Sequence, residues 1–216
     1  MRTLASALAL AAALGLAAPA SAHEAGDWLF RVGGSLVDPK SNNGTLDVSA
    51  LELGDQRIAV DDKWGLTFNV TYMYTANLGI EVLAALPFKH DIDVGVLGNV
   101  GSVKHLPPTV SLQYHFMPDS VFQPYAGLGV NYTRFFSVKE AGALVDLDVT
   151  LDVDSSSFGL AAQVGFDYKI DDRWFLNFDV RWIDIDTKAQ IREVPSIRGD
   201  VNIDPIVYGL HVGYRF

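Results

Sequence analysis

The sequence predicts an all-β fold, an eight-stranded antiparallel transmembrane β-barrel. Three observations predict it. Apolar residues alternate with small or polar ones at period two in eight runs. Long and short connections alternate between those runs, and aromatic residues gather at the run ends.

The clearest run is Trp64, Leu66, Phe68, Val70, Tyr72 and Tyr74, with Gly65, Thr67, Asn69 and Thr71 between them. A strand sends alternate side chains to opposite faces, so one face here is large and apolar and the other small or polar. Two more runs read the same way, from Phe158 to Tyr168 and from Ile206 to Phe216. Five weaker runs lie near 27–37, 78–90, 103–116, 122–136 and 173–186. A tilted strand crosses the hydrocarbon core in about 9–11 residues, which these runs supply. A narrow lumen takes the small residues and lipid takes the large ones.

The connections support this order. Long ones fall near 38–61, 91–102, 137–155 and 187–200, and short ones near 75–77, 117–121 and 171–172. Long loops on one side and tight turns on the other mark an outer-membrane barrel, with both termini on the periplasmic side. Trp28, Tyr114, Trp174 and Phe216 are expected in the inner aromatic girdle. Trp64, Phe88, Phe136, Phe158 and Trp182 are expected in the outer one.

The first residues set the compartment. Arg2, an apolar stretch from Leu4 to Leu16, and Ala20-Ser21-Ala22 form a secretory signal with an A-x-A cleavage site. Residues 1–22 are therefore expected to be a signal peptide, and residues 23–216 one outer-membrane β-barrel beginning at His23. No later segment has eighteen consecutive apolar residues. The chain has no cysteine, so an exported fold draws its stability from elsewhere, such as a closed hydrogen-bonded ring. Its net charge of −10 argues against nucleic acid as a partner.

Several segments resemble the OmpW family of outer-membrane proteins. They include His23-Glu24-Ala25-Gly26-Asp27-Trp28, Leu86-Pro87-Phe88-Lys89-His90 and Lys104-His105-Leu106-Pro107-Pro108-Thr109. Pro124-Tyr125-Ala126-Gly127, Asp184-Ile185-Asp186-Thr187 and the ending Gly213-Tyr214-Arg215-Phe216 belong with them. The resemblance covers all eight runs and is weakest at 41–61 and 137–155. It implies a barrel of the bacterial outer membrane that passively admits small hydrophobic or amphipathic molecules. They would enter the upper lumen and leave sideways into the membrane.

The inward register carries Arg31, Glu81, His115, Asp167, Asp179, His211 and Arg215. Mixed charges in a narrow interior are expected to pair and fill the barrel floor. Above them the inward residues turn smaller and more apolar, at Leu83, Ala85, Gly127, Gly129, Ala161 and Ile183. Leu83, Ala85, Ile183 and Arg181 are the expected ligand contacts. Arg181 departs from the apolar lumen that the resemblance implies, and either pairs with Asp179 or Glu81 or meets a polar head group. Pro87, Pro107 and Pro108 remove ladder donors on neighbouring strands, which leaves either a lateral opening or a bulge packed shut.

No enzyme is expected, since no nucleophile motif such as G-x-S-x-G accompanies His90 and His105. No cofactor is expected. No metal is expected either, because the five histidines lack zinc spacing and the acidic run Asp146 to Asp154 lacks an EF-hand pattern. The expected partners are small hydrophobic molecules, outer-membrane lipids and the barrel assembly machinery, to which Phe216 would serve as the assembly signal. The alternative function is a structural or interaction barrel, with its acidic loops as an adhesin or receptor surface.

Overall fold

Strands that face lipid have no water for their backbone N–H and C=O groups, so each must be paired along both edges. The computed structural model describes residues 23–216, and the expected signal peptide lies outside them. The strands are β1 (Trp28–Asp38), β2 (Thr45–Asp47), β3 (Asp55–Val60), β4 (Lys63–Met73) and β5 (Leu78–Ala85). Then come β6 (Phe88–Val94), β7 (Gly98–Leu106), β8 (Thr109–His115), β9 (Phe122–Glu140) and β10 (Leu151–Val153). The last are β11 (Ser156–Lys169), β12 (Trp174–Ile183), β13 (Asp186–Ile191), β14 (Arg198–Asn202) and β15 (Ile206–Arg215). A short helix α1 (Ala143–Asp146) follows β9.

Eight of these strands close a ring in the order β1, β4, β5, β8, β9, β11, β12, β15 and back to β1, every pair antiparallel. This is the expected eight-stranded barrel. Its outer face is bare and apolar: Leu128 is 72% exposed, Leu160 61% and Leu210 64%. A belt of that size needs a bilayer to cover it. No helix among the described residues is long and apolar enough to cross a membrane.

The long connections are not loops. They fold into a second sheet on the far side from the short turns, in the order β9, β7, β6, β3, β2, β14, β13, β10. The chain after β10 returns to β9, where the Phe135 N–H donates to the Ser155 carbonyl at 2.9 Å. The expectation of loops at 38–61, 91–102, 137–155 and 187–200 is corrected here. Strands such as β2 and β10, of three residues each, are too short to display a period. The outward face of this extension is charged, with Lys89, Asp93 and Lys104 exposed, so it stands in water above the outer girdle.

The runs at 78–90 and 103–116 are also not continuous. The β5–β8 ladder stops at Leu83 opposite Thr109, and the β6–β7 ladder begins at Phe88 opposite His105. Four residues (84–87) thus face three (106–108), and the odd residue changes the facing of the strand. Ile80, Val82, Ala84 and Leu86 point out, yet Phe88 and His90 are buried. Phe88 therefore leaves the outer girdle, where the sequence placed it, and turns inward over Gly65. A Cβ on Gly65 would lie 2.3 Å from the Phe88 ring.

This change of face is directly testable in a chain that has no native cysteine. In intact cells a membrane-impermeant maleimide should label Lys89→Cys and spare Phe88→Cys and His90→Cys. The opposite pattern would mean that the strand runs through Pro87 without changing face.

Candidate functional site: an apolar outer cavity above an ionic floor

The floor begins with Arg31 of β1. Its Nε and Nη2 donate to Asp167 Oδ1 and Oδ2 at 3.2 and 2.7 Å, and its Nη1 donates to Thr71 Oγ1 at 2.7 Å. The same Nη1 lies 3.7 Å from Glu81 Oε2. Glu81 in turn accepts from Arg181 Nη1 at 2.8 Å, and Arg181 Nε reaches Asp179 Oδ1 at 3.2 Å. His211 Nδ1 stands 3.4 Å from Asp179 Oδ2. Gln113 and Gln163 donate to the two Glu81 oxygens at 2.8 and 3.2 Å. The guanidinium of Arg31 lies between the rings of Tyr125 and Phe175, 5.6 and 5.4 Å from their centroids.

All of these charges are buried, and each has an opposite partner. Breaking such a pair by removing one member costs about 3–5 kcal/mol, because it strands the other charge. There is no spare room beside them. A Cβ on Gly129 would lie 2.4 Å from Ser111 Oγ, and one on Gly209 would lie 2.7 Å from Asp179 Oδ2. Arg31, Glu81, Asp167, Asp179 and His211 thus come together, and Arg181 joins them through Glu81 and Asp179. Arg215 is only partly buried and sits with Asp27 at 3.5 Å, at the periplasmic rim. His115 is buried at the edge of the network, with its Nε2 3.4 Å from Gln113 Oε1.

Above the floor the interior becomes apolar. Ile183, Ala161, Val207 and Val37 join one continuous cluster with the extension, and Ala85 packs against it. Leu83 is buried just below. The cavity itself lies further out than these residues, inside the extension. Its volume is about 260 Å³, and its walls include Ile58, Val103, Leu144, Ile191, Ile197 and Ile203. Of the expected ligand contacts, none of Leu83, Ala85, Arg181 or Ile183 lines it. Sequence reasoning missed these walls because most of them lie in segments read as long connections, Ile58 on β3, Leu144 on α1 and Ile191 on β13 among them. The signal available was the short apolar alternation of β3 and β13.

The polar groups in this lining are His90, His105 and Thr187. His105 and His90 stack at 5.0 Å between centroids, and Phe88 stacks on His105 at 5.7 Å. His90 Nδ1 lies 2.6 Å from the Asp61 carbonyl. Burial pulls the His105 pKa down to about 3, helped by neighbouring His90, and burial lowers that of His90 too. Both rings are neutral at pH 7. They offer hydrogen bonds to a ligand without a charge.

The wall beside this stack is interrupted at Pro87, Pro107 and Pro108. Each edge is tied to its outer neighbour and not across the break. Leu86 N–H donates to the Leu66 carbonyl at 2.9 Å, and Tyr132 N–H donates to the Pro108 carbonyl at 3.0 Å. Pro87 and Pro108 are exposed on the outer face and Pro107 is buried. The break adjoins Trp64 of the outer girdle, since Phe88 lies over Gly65.

A closed eight-stranded barrel with a lipid-facing belt, a charged floor and an apolar outer cavity is an outer-membrane protein of the small-barrel class. Residues 24–216 match the OmpW family, and the chain belongs to that family. It is 42% identical to outer membrane protein W of Escherichia coli K12, over 96% of this chain and 97% of that one. The crystal structure of OprG from Pseudomonas aeruginosa is similar at a TM-score of 0.80 and 38% identity, covering 90% of this chain and 98% of that one. AlkL in DMPC bilayers has a TM-score of 0.67 and 26% identity, with 93% and 95% covered. The protein resides in the bacterial outer membrane.

The two neutral histidines make the extension sensitive to acid. Unfolded, His105 takes up a proton below its ordinary 6.5, and folded it does so only near 3. Stability is therefore whole above pH 6.5 and falls as pH drops toward 3, by about 2 kcal/mol at pH 5 from this one group. Amide exchange in β6 and β7, corrected for intrinsic rates, should accelerate from pH 7 to pH 5. His105→Phe should remove most of that acceleration.

Proposed function

We propose that the protein is a passive porter for small hydrophobic or amphipathic molecules. They enter the outer cavity from the medium and leave through the wall at Pro87, Pro107 and Pro108 into the outer leaflet. The observation that carries this reading is the interrupted ladder beside an apolar cavity that stands over a filled, ion-paired floor. A hydrophobe gains nothing by descending into buried charge, while a break at girdle height leads to lipid tails. Leu83, Ala85 and Ile183 form the apolar throat beneath the cavity at the foot of the break, and Arg181 seals it from below. The resemblance to the OmpW family points the same way.

The test compares liposomes carrying equal amounts of folded wild-type barrel and a variant with Pro87, Pro107 and Pro108 replaced by Thr or Val. β-Branched residues restore donors and suit a pleated wall. Uptake of a labelled hydrophobe should slow several-fold in the variant, while conduction of small ions stays low in both. Unchanged uptake would reject the lateral route and leave a structural or interaction barrel as the better reading.

The last residue serves assembly in this reading. Phe216 is exposed, its N–H donates to the Trp28 carbonyl at 2.9 Å, and its ring meets Tyr214 edge-on at 4.7 Å. A strand edge ending on an aromatic is what an assembly machine can read by strand addition. Deleting Phe216 should lower the yield of folded barrel in cells by several-fold and leave the thermal stability of the purified barrel nearly unchanged.

A further inference from the structure

At the end of the barrel opposite the cavity, three side chains converge, two histidines that neither ion pairing nor transport explains and one floor carboxylate. They are His23 ahead of β1, His115 at the end of β8 and Asp167 in β11. One donor atom of each lies within 4.8 Å of the other two, and all three residues are buried. His23 Nε2 is 3.9 Å from Asp167 Oδ2, and the two imidazoles meet edge-on at 5.2 Å between centroids. Both ring nitrogens of His23 and the Nδ1 of His115 are buried with no hydrogen-bond partner. An orphaned buried polar atom is costly, and an ion shared by one nitrogen of each ring and the Asp167 carboxylate would relieve one orphan on His23.

We propose that His23, His115 and Asp167 bind one divalent transition-metal ion, of the kind that imidazole prefers: Cu²⁺, Ni²⁺ or Zn²⁺. Two imidazoles and one carboxylate are too poor in oxygen for Ca²⁺ or Mg²⁺. Donors around a tetrahedral ion with bonds of 2.0–2.1 Å lie about 3.3 Å apart, so the three need only small side-chain shifts to close on it. Asp167 Oδ2 already accepts from Arg31 Nη2 at 2.7 Å, and a carboxylate oxygen has a second lone pair for the ion. Asn177 Nδ2 donates to Asp167 Oδ1 at 2.8 Å and holds the carboxylate in place, as groups behind metal ligands do. The nearby Arg31 charge opposes a dication and keeps the affinity moderate.

The expected cleavage after residue 22 adds to the site. It would turn the His23 backbone nitrogen, 3.2 Å from the Pro118 carbonyl, into a free amine, while the His23 Nε2 beside Asp167 binds the ion. The ion would then fasten the start of the mature chain across the periplasmic mouth, to β8 on one side and β11 on the other. The sequence led to no expectation of a metal because the ligands come from three distant segments. Spacing rules detect only ligands that share a turn or a helix.

The test uses barrel purified from outer membranes, stripped with EDTA and titrated with Cu²⁺ alone. Calorimetry should give one ion per barrel, and electron paramagnetic resonance should show nitrogen coupling from imidazole. His115→Gln and His23→Gln, with folding confirmed by heat-modifiable gel mobility, should each bind at least tenfold more weakly. Absence of one-to-one binding in the wild type overturns the proposal. So does weakening by His23→Gln with none by His115→Gln, since that is chelation by a chain start lying outside the lumen.

Discussion

Everything in this molecule answers to the rule that no backbone group facing lipid goes unpaired. Around the ring of eight strands the ladders run without a gap through the belt, and each outward side chain is then free to be Leu, Val, Phe or Trp. The alternation that makes the belt forces every second residue inward, where the bore is too narrow for water-filled space. The charged residues placed there pair with one another, through Arg31, Glu81, Asp167, Asp179 and Arg181. Between β12–β15 and β13–β14 the pairing of two ring neighbours is interrupted with three residues against three, which keeps the facing. At the prolines it stops and resumes with four residues facing three. There the freed groups are met by the next strand over, so the rule is kept while the wall is parted.

Polarity inside the barrel is sorted along its axis. Charges occupy the middle and lower bore, apolar residues occupy the throat, and the extension holds the cavity. In the proposed role the apolar throat would be the barrier for an ion or a polar solute, and the floor the barrier for a hydrophobe. The small polar contribution to the cavity comes from His90 and His105, both uncharged at neutral pH. In the proposed role they would favour amphipathic guests with a hydroxyl or carbonyl over bare hydrocarbon.

The eight crossings were legible because lipid on one side and a narrow bore on the other impose a strict two-residue period over ten or so positions. The floor was legible for the same reason: once the register is known, Arg31 and Asp167 can only point inward. The extension was not. Its strands are short, and their outer face meets water rather than lipid, so β2, β3, β10 and β14 look like polar loops. The turn of Phe88 from girdle to interior was equally hidden. It depends on four residues facing three across the break, a mismatch between two strands that neither displays alone. His23 was read only as a cleavage boundary, since nothing in its own neighbourhood reveals that the chain start folds into the lumen.

The strand β9 belongs to both rings, pairing with β8 and β11 below and with β7 above. Its nineteen residues, at roughly 3.3 Å each, span roughly 60 Å, about twice the hydrocarbon core. Half of it is a stave of the barrel and half is a mast. Of the eight staves β9 alone continues into the extension as one unbroken strand, while β12 leads into β13 and β14 into β15 across three residues that leave the ladder. In the proposed role, a guest that wedges the cavity open would lever on a member rooted in the membrane. Its leverage would reach the wall through β8, whose upper end carries the two adjacent prolines.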